Sequence, residues 1–388
     1  MSHLFPTYGK WDIEIKSGSG AFVVDSNGKS YLDFIAGIAV CNLGHCHPKV
    51  INAVKEQLDT LWHISNLSPI QGQEDVAKKL TENHTGDYVF FCNSGTEANE
   101  AAIKLARKAT GKHHIISLVN SFHGRTLGSM AATGQEKIHA GFGPMLSTFD
   151  YVPLNDIHAL QAAVNEETAA IVVEVIQGEG GVHVMAQSFA DGLQALCEEK
   201  GILLIIDEIQ TGIGRTGKAY AYEHYGLSPD IVTLAKGLGN GFPVGAMIGK
   251  AHLKESFSAG SHGSTFGGNP LAMAAAKVVL TEIFNEEFLD EVAKKGKTFK
   301  AKLRDTLLDY SMVQEIRGIG LMIGIECNTD VTAIVKALRD KGLLVMNAGS
   351  KVIRLLPPLT VTNEELEQAL QLLSEVFQEL ETKQTLTK

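Results

Sequence analysis

Two residues whose side chains could take part in catalysis stand at the ends of apolar runs in the middle of the chain. Asp207 ends the apolar run "GILLIID", and Lys236 follows the run "DIVTLA". The segment between them fits one strand–turn–helix–strand unit of a parallel sheet, and ligands of such sheets collect at the carboxyl ends of the strands. Both side chains can therefore reach one cavity, where a lysine could form a Schiff base and an aspartate could keep a ring nitrogen protonated.

The residues after Lys236 support a cavity at this point. They read "GLGNGFP", so that Gly237, Gly239 and Gly241 alternate with other residues. A lysine at a strand end is usually solvated, but glycines allow a bulky ligand to approach the backbone. The pattern therefore predicts a ligand close to Lys236.

Another strand end carries a candidate anion site. After "YVFFC" the chain continues with Asn93, Ser94, Gly95, Thr96 and Glu97, and then becomes helical. Ser94 and Glu97 have the spacing of a capping box. A phosphate would also suit this helix N-terminus, because Gly95 permits a close approach and Thr96 offers a hydroxyl group. The two interpretations are compatible.

Two further strand ends carry side chains suited to a planar, anionic ligand. Phe122 and Arg125 follow "IISLV", and Glu179 lies in "QGEGG" after "AAIVVEVI". The first two could be a core and a surface residue, or a stacking platform and a carboxylate clamp. A phosphate site, an aromatic plate, an acid and a lysine together are what pyridoxal 5'-phosphate requires. The sequence therefore predicts this cofactor.

One glycine motif invites a different interpretation. The end of "LLIIDEIQTGIGRTG", from Gly212 to Gly217, matches the dinucleotide fingerprint G-x-G-x-x-G. That fingerprint requires the first glycine to follow the strand directly and the glycines to open a helix. Five residues, two of them carboxylates, stand between the strand and Gly212. We therefore do not expect a nucleotide site here.

The segment "GHCHP" raises the question of a metal site. On a strand, His45 and His47 would share a face and could bind a metal ion. No second pair of residues with ligand spacing accompanies them, and metal sites need a fuller ligand set. We favour a structural turn before Pro48 and expect no metal.

The composition excludes several functional classes. The chain has 388 residues, of which 34 are basic and 44 acidic, and its net charge is −10. This balance, without a basic block, argues against binding nucleic acid. The N-terminus lacks the features of a signal peptide, and no apolar run is long enough for a membrane span. Five cysteines without a C-x-x-C pair fit reduced thiols in the cytoplasm.

The strands that must position these residues lie between about residues 51 and 285. There, near-continuous apolar runs alternate with helical stretches, which is typical of a parallel sheet covered on both faces. Before this region, Asn27-Gly28 is a hairpin signal. After it, helical and strand-like segments suggest a smaller α+β unit, closed by a helix with a capping box at residues 362–365 and an apolar face of Leu366, Ala369, Leu370, Leu373 and Phe377.

We therefore predict an α/β fold in which a mostly parallel sheet has helices on both faces, with a smaller α+β domain beside it. The predicted divisions are an N-terminal segment, residues 1–50, that packs with the small domain, a large cofactor-binding domain, residues 51–285, and a small C-terminal domain, residues 286–388.

Eight segments together resemble the class III pyridoxal-phosphate-dependent aminotransferases, which have fold type I. The segments are "GHCHP", "NSGTEANEAAIKLAR", "FHGRT", "QGEGG", "DEIQTGIGRTG", "AKGLGNGFPVGAM", "GSTFGGNPLA" and "IRLLPP". They extend from residue 44 to residue 358, so the resemblance covers most of the chain. The pair "DEIQTGIGRTG" and "AKGLGNGFPVGAM" is the most specific part, and the resemblance makes Gly212–Gly217 a turn beside the cofactor.

The resemblance implies how the cofactor is held. Lys236 forms the Schiff base, Asp207 pairs with the pyridine nitrogen, Phe122 stacks on the ring and Gln210 lies near the ring hydroxyl. Gly95 and Thr96 hold the phosphate.

It also implies how subunits and substrates meet. Thr265 completes the phosphate site of a partner subunit, which makes the protein an obligate homodimer with shared active sites. Arg125 and Ser264 contact the amino-acid substrate, Arg354 binds a substrate α-carboxylate, and Glu179 faces Arg354.

The implied reaction is a ping-pong ω-amino transfer. Segments such as "NSGTEANE" and "GSTFGGNP" resemble the branch of the family whose donor is N2-acetylornithine and whose acceptor is 2-oxoglutarate, in arginine biosynthesis. Donors such as ornithine, succinylornithine or 4-aminobutyrate, and an aminomutase reaction, remain as alternatives. A non-catalytic binding protein is disfavoured, because it would not need the Asp207–Lys236 pair.

Overall fold

The computed structural model describes residues 3–82 and 84–386, without the side chains of residues 384–386. Among these, the strands are β1 (Ile15–Ser19), β2 (Phe22–Asp25), β3 (Ser30–Asp33), β4 (Tyr88–Cys92), β5 (His114–Leu118), β6 (Phe149–Val152), β7 (Thr168–Val173), β8 (Ile176–Gln177), β9 (His183–Val184), β10 (Leu203–Asp207), β11 (Ile231–Leu234), β12 (Gly245–Gly249), β13 (Val313–Ile319), β14 (Met322–Cys327), β15 (Leu343–Leu344), β16 (Met346–Ala348) and β17 (Val352–Leu355).

The helices are α1 (Ala36–Ala39), α2 (Pro48–Leu58), α3 (Gln71–Thr81), α4 (Gly95–Thr110), α5 (Leu127–Ala132), α6 (Glu136–His139), α7 (Ile157–Ala163), α8 (Gln187–Lys200), α9 (Pro270–Ile283), α10 (Glu286–Leu307), α11 (Thr332–Asp340) and α12 (Asn363–Leu386). In the described part of the chain, no helix combines the length and the apolar character that crossing a membrane requires.

A seven-stranded sheet forms the centre of the molecule, in the order β4-β12-β11-β10-β7-β5-β6. β12 runs antiparallel to both of its neighbours, whereas the pairs among β11, β10, β7, β5 and β6 are parallel. The predicted mostly parallel α/β sheet is confirmed. Each of the five apolar runs quoted above overlaps one strand of this sheet, namely β4, β5, β7, β10 or β11. Their carboxyl ends lie along one edge, which places the polar residues that follow them close together.

Burial on both faces explains why these strands are apolar throughout. In β10, Leu204 and Ile206 belong to one hydrophobic cluster, while Leu203 and Ile205 belong to a second. Successive side chains of a strand point to opposite faces, so both clusters need apolar residues from every strand.

The N-terminal strands join a sheet with a strand from the C-terminal part, in the order β1-β2-β3-β15. The hairpin signal is confirmed: Gly28 has a φ of +82°, and the Asp25 side chain accepts hydrogen bonds from the backbone N–H groups of Asn27 and Lys29. β3 then pairs in parallel with β15 through Leu32 and Leu343. The beginning of the chain is thus tied to a segment more than three hundred residues later.

The C-terminal part contains a second four-stranded sheet, β13-β14-β17-β16, with α10, α11 and α12 beside it. The capping box is present, because Thr362 and Glu365 exchange backbone-to-side-chain hydrogen bonds. Four residues of the predicted apolar face of α12 are buried, and Leu370 is partly buried. The domain boundaries at residues 50 and 285 stay a prediction.

The connection from β10 to β11 differs from the expected one. Instead of an α-helix it contains a short 3-10 helix, Ala221–Tyr225. Gly214 and Gly217 have positive φ angles, and a Cβ atom there would collide with Ile283 and Ala293 respectively. These glycines therefore serve the close packing of the loop on α9 and α10, and the expectation that they lie beside the cofactor stays a prediction.

Candidate active site

A cavity of about 390 Å³ opens at the carboxyl edge of the central sheet. Residues that follow four of its parallel strands and the N-terminus of α4 form its wall. Eight residues singled out from the sequence line it: Gly95, Thr96, Phe122, Arg125, Glu179, Asp207, Gln210 and Lys236. The fold thus brings together the residues that were selected because they follow strands.

Lys236 stands on a strained backbone at the end of β11. Its φ angle is +43°, which is unfavourable for a residue with a Cβ atom and is typical of functional sites. Burial lowers the pKa of its amine, and the negative charge of Glu179, which acts to raise that pKa, only partly offsets the effect. A lowered pKa increases the neutral fraction of the amine, which is the form that attacks a carbonyl group.

Two of the three glycines after Lys236 have a different purpose from the predicted one. A Cβ atom on Gly237 would lie 2.3 Å from Nδ2 of Asn42, and one on Gly239 would lie 2.8 Å from Cγ1 of Val244. Of the three, only Gly241 lines the cavity. Gly237 and Gly239 are therefore needed for protein packing under Lys236, and Gly241 alone borders the space for a ligand.

Asp207 is buried, and hydrogen bonds fix both of its carboxylate oxygens. Oδ2 accepts a hydrogen bond from Nδ2 of Asn99 at 2.8 Å and lies 2.7 Å from Nδ1 of His123, while Oδ1 accepts one from the backbone N–H of Ile209 at 3.0 Å. Asn99 is itself held by Thr233, whose hydroxyl donates to Oδ1 of Asn99. These bonds fix the orientation of the carboxylate.

His123 is a site residue that the sequence analysis did not assign. It is buried, and burial lowers its pKa, but the hydrogen bond and the charge of Asp207 outweigh this and raise it. Its Nε2 atom is buried and has no hydrogen-bond partner among the described residues. The place of His123 next to Phe122 in "FHGRT" was the available signal, but its contact with Asp207 depends on the fold.

Glu174 is a second unassigned residue of the cavity wall. Val173 pairs with Ile206 in the sheet, so the next residues, Glu174 and Asp207, lie side by side at its edge. Burial raises the pKa of Glu174 well above its usual range, and its Oε2 accepts the backbone N–H of Phe122. Two adjacent carboxyl groups favour protonation of one of them, and the environment assigns that proton to Glu174.

The N-terminus of α4 forms one end of the cavity. The predicted capping box is formed in part: Oγ of Ser94 accepts the backbone N–H of Glu97, but the Glu97 carboxylate accepts the Ser94 hydroxyl and the backbone N–H of Asn93 instead of that of Ser94. Gly95 and Thr96 begin the helix and line the cavity. A Cβ atom on Gly95 would collide with Ile209, so the close approach that this glycine permits is to that side chain. A helix N-terminus of this kind attracts phosphate.

Arg354 lies on β17 of the C-terminal sheet and reaches the cavity wall. It is fully buried, and its Nη1 donates hydrogen bonds to Oε1 of Glu179 and to Oε1 of Gln210, both at 2.9 Å. Burial would raise the pKa of Glu179, but the charge of Arg354 lowers it. Gln210 also donates to Glu179 at 3.2 Å, so the three side chains form one network.

Besides Arg354, which contacts the cavity only through Glu179 and Gln210, two predicted residues do not line the cavity of their own chain. Oγ of Ser264 accepts a hydrogen bond from the Asn93 side chain at 3.1 Å and another from the backbone of Gly267. Thr265 is exposed, next to the exposed side chain of Phe266. Neither residue lines the cavity described above, and their roles stay predictions.

The "GHCHP" segment makes structural contacts. Nε2 of His45 lies 2.7 Å from Oδ2 of Asp33, and the hydrogen bond to Asp33 is the main reason that the pKa of His45 is raised to about 10. His47 precedes Pro48 as the N-cap of α2. The predicted turn before Pro48 is confirmed.

The residues of the cavity fit pyridoxal 5'-phosphate. They provide a helix N-terminus for a phosphate, an aromatic ring at Phe122, a fixed carboxylate at Asp207 and a buried amine at Lys236. Hydrogen bonds hold both carboxylate oxygens of Asp207, and His123 lies beside it, which suits the partner of a protonated ring nitrogen. The set of donors thus agrees with the cofactor expected from the sequence.

Comparison with known proteins identifies relatives over nearly the whole chain. Residues 6–377 match the family model of the class-III aminotransferases. The chain is 64% identical over 377 residues to the acetylornithine aminotransferase of Halalkalibacterium halodurans, covering 97% of this chain and 98% of that protein. 

Solved structures have the same fold. The ornithine aminotransferase of Toxoplasma gondii matches with a TM-score of 0.94 at 34% identity, over 98% of this chain and 94% of that one. The N-acetylornithine aminotransferase of Stenotrophomonas maltophilia matches with a TM-score of 0.84 at 35% identity, over 96% and 97% of the two chains.

Proposed function

Because the chain belongs to the class-III aminotransferase family, we propose that it transfers the δ-amino group of N2-acetyl-L-ornithine to 2-oxoglutarate. The products are N-acetyl-L-glutamate 5-semialdehyde and L-glutamate, which makes the reaction a step of arginine biosynthesis. The observation that carries the proposal is the high identity to the Halalkalibacterium halodurans enzyme across nearly the full length of both chains.

The residues of the cavity have distinct tasks in this reaction. Bound pyridoxal 5'-phosphate supplies an electron sink for the carbon that carries the reacting amine. Asp207 would pair with the ring nitrogen and hold a proton there, and His123 and Asn99 orient its carboxylate. Phe122 provides an aromatic face, and Gly95 and Thr96 bind the phosphate at the start of α4.

Lys236 binds the cofactor and moves the substrate proton. Its Nζ is the amine at the floor of the cavity, and burial increases its neutral fraction. A neutral amine can take a proton from the reacting carbon and return it elsewhere. The rigid turn of Gly237 and Gly239 under Lys236 holds its backbone in place during these transfers.

The substrates bind at the outer side of the cavity. Arg125 lies with its guanidinium carbon 5.7 Å from the ring centre of Phe122 and is available for a carboxylate of the donor. Arg354 binds the α-carboxylate of 2-oxoglutarate or glutamate when Glu179 releases it.

The proposed active form is a homodimer in the cytoplasm. Thr265 is exposed in the chain beside the exposed Phe266, and the ring centre of His63, next to the exposed Trp62, lies 5.3 Å from the ring centre of Phe266. These apolar side chains suit contact with a second copy. We assign Thr265 to the phosphate site, and Ser264 to the substrate site, of that copy. The five cysteines are all free, which fits a reducing compartment.

A donor panel tests the function. Purified enzyme with 2-oxoglutarate is given N2-acetyl-L-ornithine, N2-succinyl-L-ornithine, L-ornithine and 4-aminobutyrate, and kcat/KM is compared. The proposal expects the acetylated donor to be best. L-Ornithine is the second candidate, because a structure with that activity shares the fold at a TM-score of 0.94. Turnover without 2-oxoglutarate would instead indicate a mutase.

A further inference from the structure

A second cavity, which we call the outer chamber, adjoins the first above Lys236. It measures about 720 Å³ and shares Phe122, Arg125, Glu179 and Lys236 with the inner cavity. Lys137, on α6, lines this chamber but not the inner cavity. When the reacting amine of a donor is at Lys236, the rest of the donor must occupy this chamber.

The charges in the outer chamber do not balance. Its acid, Glu179, is already paired with Arg354 at 2.9 Å. Arg125 and Lys137 are cationic, and neither has a carboxylate partner among the residues that the structure describes. The chamber therefore presents two uncompensated positive charges to the distal end of a donor.

Neighbouring residues anchor the backbone on both sides of Lys137. Gln135 donates a hydrogen bond from Nε2 to the backbone oxygen of Ser121 at 2.9 Å, Ile138 is buried, and Nε2 of His139 lies 2.8 Å from the backbone oxygen of Met130. The turn that carries Lys137 is thus anchored before and after it, while its own side chain is exposed. A cationic side chain that lines a cavity and stands on an anchored turn contributes a positive electrostatic potential there.

The distal ends of the competing donors differ in charge. Ornithine carries a carboxylate and an α-ammonium group, whereas an N2-acyl ornithine carries the carboxylate and a neutral amide. Arg125 and Lys137 would both attract the carboxylate, and both would repel the ammonium group. Like-charge contacts of this kind are a common way to reject a wrong ligand.

We propose that Lys137 is a specificity-determining residue that, with Arg125, selects donors whose α-amine is acylated. The inference rests on the proposed function and names the feature of the site that separates acylated from free ornithine. Arg125 binds the carboxylate, and Lys137 donates a hydrogen bond to the acyl oxygen and excludes a free ammonium group.

Turnover of matched variants tests the inference. Lys137→Glu and Lys137→Arg are compared with Lys108→Glu, an exposed lysine at the far end of α4, roughly 20 Å along the helix from Gly95. Lys137→Glu should lower kcat/KM for N2-acetyl-L-ornithine about tenfold, which corresponds to about 1.4 kcal/mol, and should raise kcat/KM for L-ornithine. Lys137→Arg and Lys108→Glu should keep the wild-type ratio.

Binding of an unreactive analogue separates this inference from the proposed function. N2-acetyl-L-norvaline lacks the δ-amine, and calorimetry with the holoenzyme measures its affinity without turnover. Lys137→Glu should weaken this binding about tenfold, and the wild-type affinity should fall with added salt. If Lys137→Glu and Lys108→Glu behave alike in both assays, Lys137 has no role in selection. If the wild type rejects N2-acetyl-L-ornithine, the proposed function fails, and the analogue alone decides whether Lys137 selects acylated ligands.

Discussion

Arg354 is fully buried, and its Nη1 donates a hydrogen bond to Oε1 of Glu179 at 2.9 Å. The two residues come from different parts of the fold, since Arg354 lies on β17 of the C-terminal sheet and Glu179 lies in the turn between β8 and β9 at the cavity. Burying a guanidinium group without an anionic partner is costly, which favours a carboxylate at this site. Either Glu179 or a substrate can supply it, and the two must compete.

The bonds around Asp207 predict unequal effects of two substitutions. Asp207→Ala should still bind the cofactor but lose activity by roughly a hundredfold or more, the scale of a lost electrostatic contact in catalysis. His123→Ala should lower kcat less, on the order of tenfold, because Asn99 and Ile209 still hold the carboxylate. Steady-state kinetics and the absorbance of bound cofactor measure both effects.

The exposed His158, on α7, offers a control for the His123 variant. His158→Ala should leave kcat and the cofactor absorbance unchanged. An Asp207→Ala enzyme with nearly normal kcat would show that this carboxylate is not the partner of the ring nitrogen.

Subunit exchange tests whether Thr265 acts in a partner subunit. Thr265→Ala should weaken cofactor binding by about 1–3 kcal/mol, the cost of losing a hydrogen bond to a charged group. Lys236→Ala should abolish turnover. In a heterodimer of the two variants, one site then has an intact lysine and receives an intact threonine from the other chain.

Mixing the two variants should therefore restore part of the cofactor affinity and activity, measured after exchange at low protein concentration. Thr265→Ala mixed with itself is the control. No recovery, with heterodimers detected by mass, would place Thr265 in its own chain's site or outside any site.

The strand ends could be predicted because their signal is local. Continuous apolar runs indicate strands buried on both faces, and the next polar residue then lies at the carboxyl edge. This reasoning located Asp207, Lys236 and Phe122 on one cavity. The purpose of Gly237 and Gly214 could not be predicted, because the atoms they approach belong to distant segments.

The residues that lie next to Asp207 could not be predicted from the sequence for the same reason. Glu174 lies beside Asp207 only through the register of β7 on β10, and His123 reaches it from the end of β5. Nothing in the spacing of "FHGRT" distinguishes a buried imidazole from a surface one. Residues that act through another residue need the packed structure to be recognised.

The ion pair of His45 with Asp33 predicts a pH dependence of stability. Hydrogen bonding to Asp33 raises the pKa of His45 to about 10 in the folded protein, above its ordinary value of 6.5. Its contribution is therefore complete below pH 6.5 and is lost as the pH rises towards 10. A contribution on the order of 1–3 kcal/mol is typical for such a bond.

Urea unfolding of wild type and His45→Ala from pH 6 to pH 10 measures this effect. The difference in unfolding free energy should be largest at the acidic end and should shrink through the alkaline range, and His158→Ala should show no such trend. A difference that is constant with pH would mean that His45 is not protonated in the pair.

The competition at Arg354 predicts opposite effects on the two half-reactions. N2-acetyl-L-ornithine enters by its δ-amine, next to a carbon without a carboxylate, so Arg354 has to stay covered by Glu179 in that half. 2-Oxoglutarate and glutamate bring a carboxylate to the same place, and Glu179 must then move aside. Gln210 contacts both residues and can keep one hydrogen bond to Arg354 during the exchange.

Glu179→Ala should therefore lower kcat/KM for N2-acetyl-L-ornithine while sparing or improving the half-reaction with glutamate, because Arg354 is then free throughout. Arg354→Ala should do the opposite and lose on the order of 2–5 kcal/mol with 2-oxoglutarate, the range for truncating one partner of a buried charge pair. Arg354→Lys keeps the charge but not the paired geometry, so its activity with 2-oxoglutarate should lie between those of the wild type and Arg354→Ala. It also serves as a control in case the alanine variant misfolds. Single-turnover absorbance changes follow each half-reaction separately. Equal losses in both halves for Glu179→Ala would mean that Glu179 only stabilises the buried arginine and does not alternate with the substrate carboxylate.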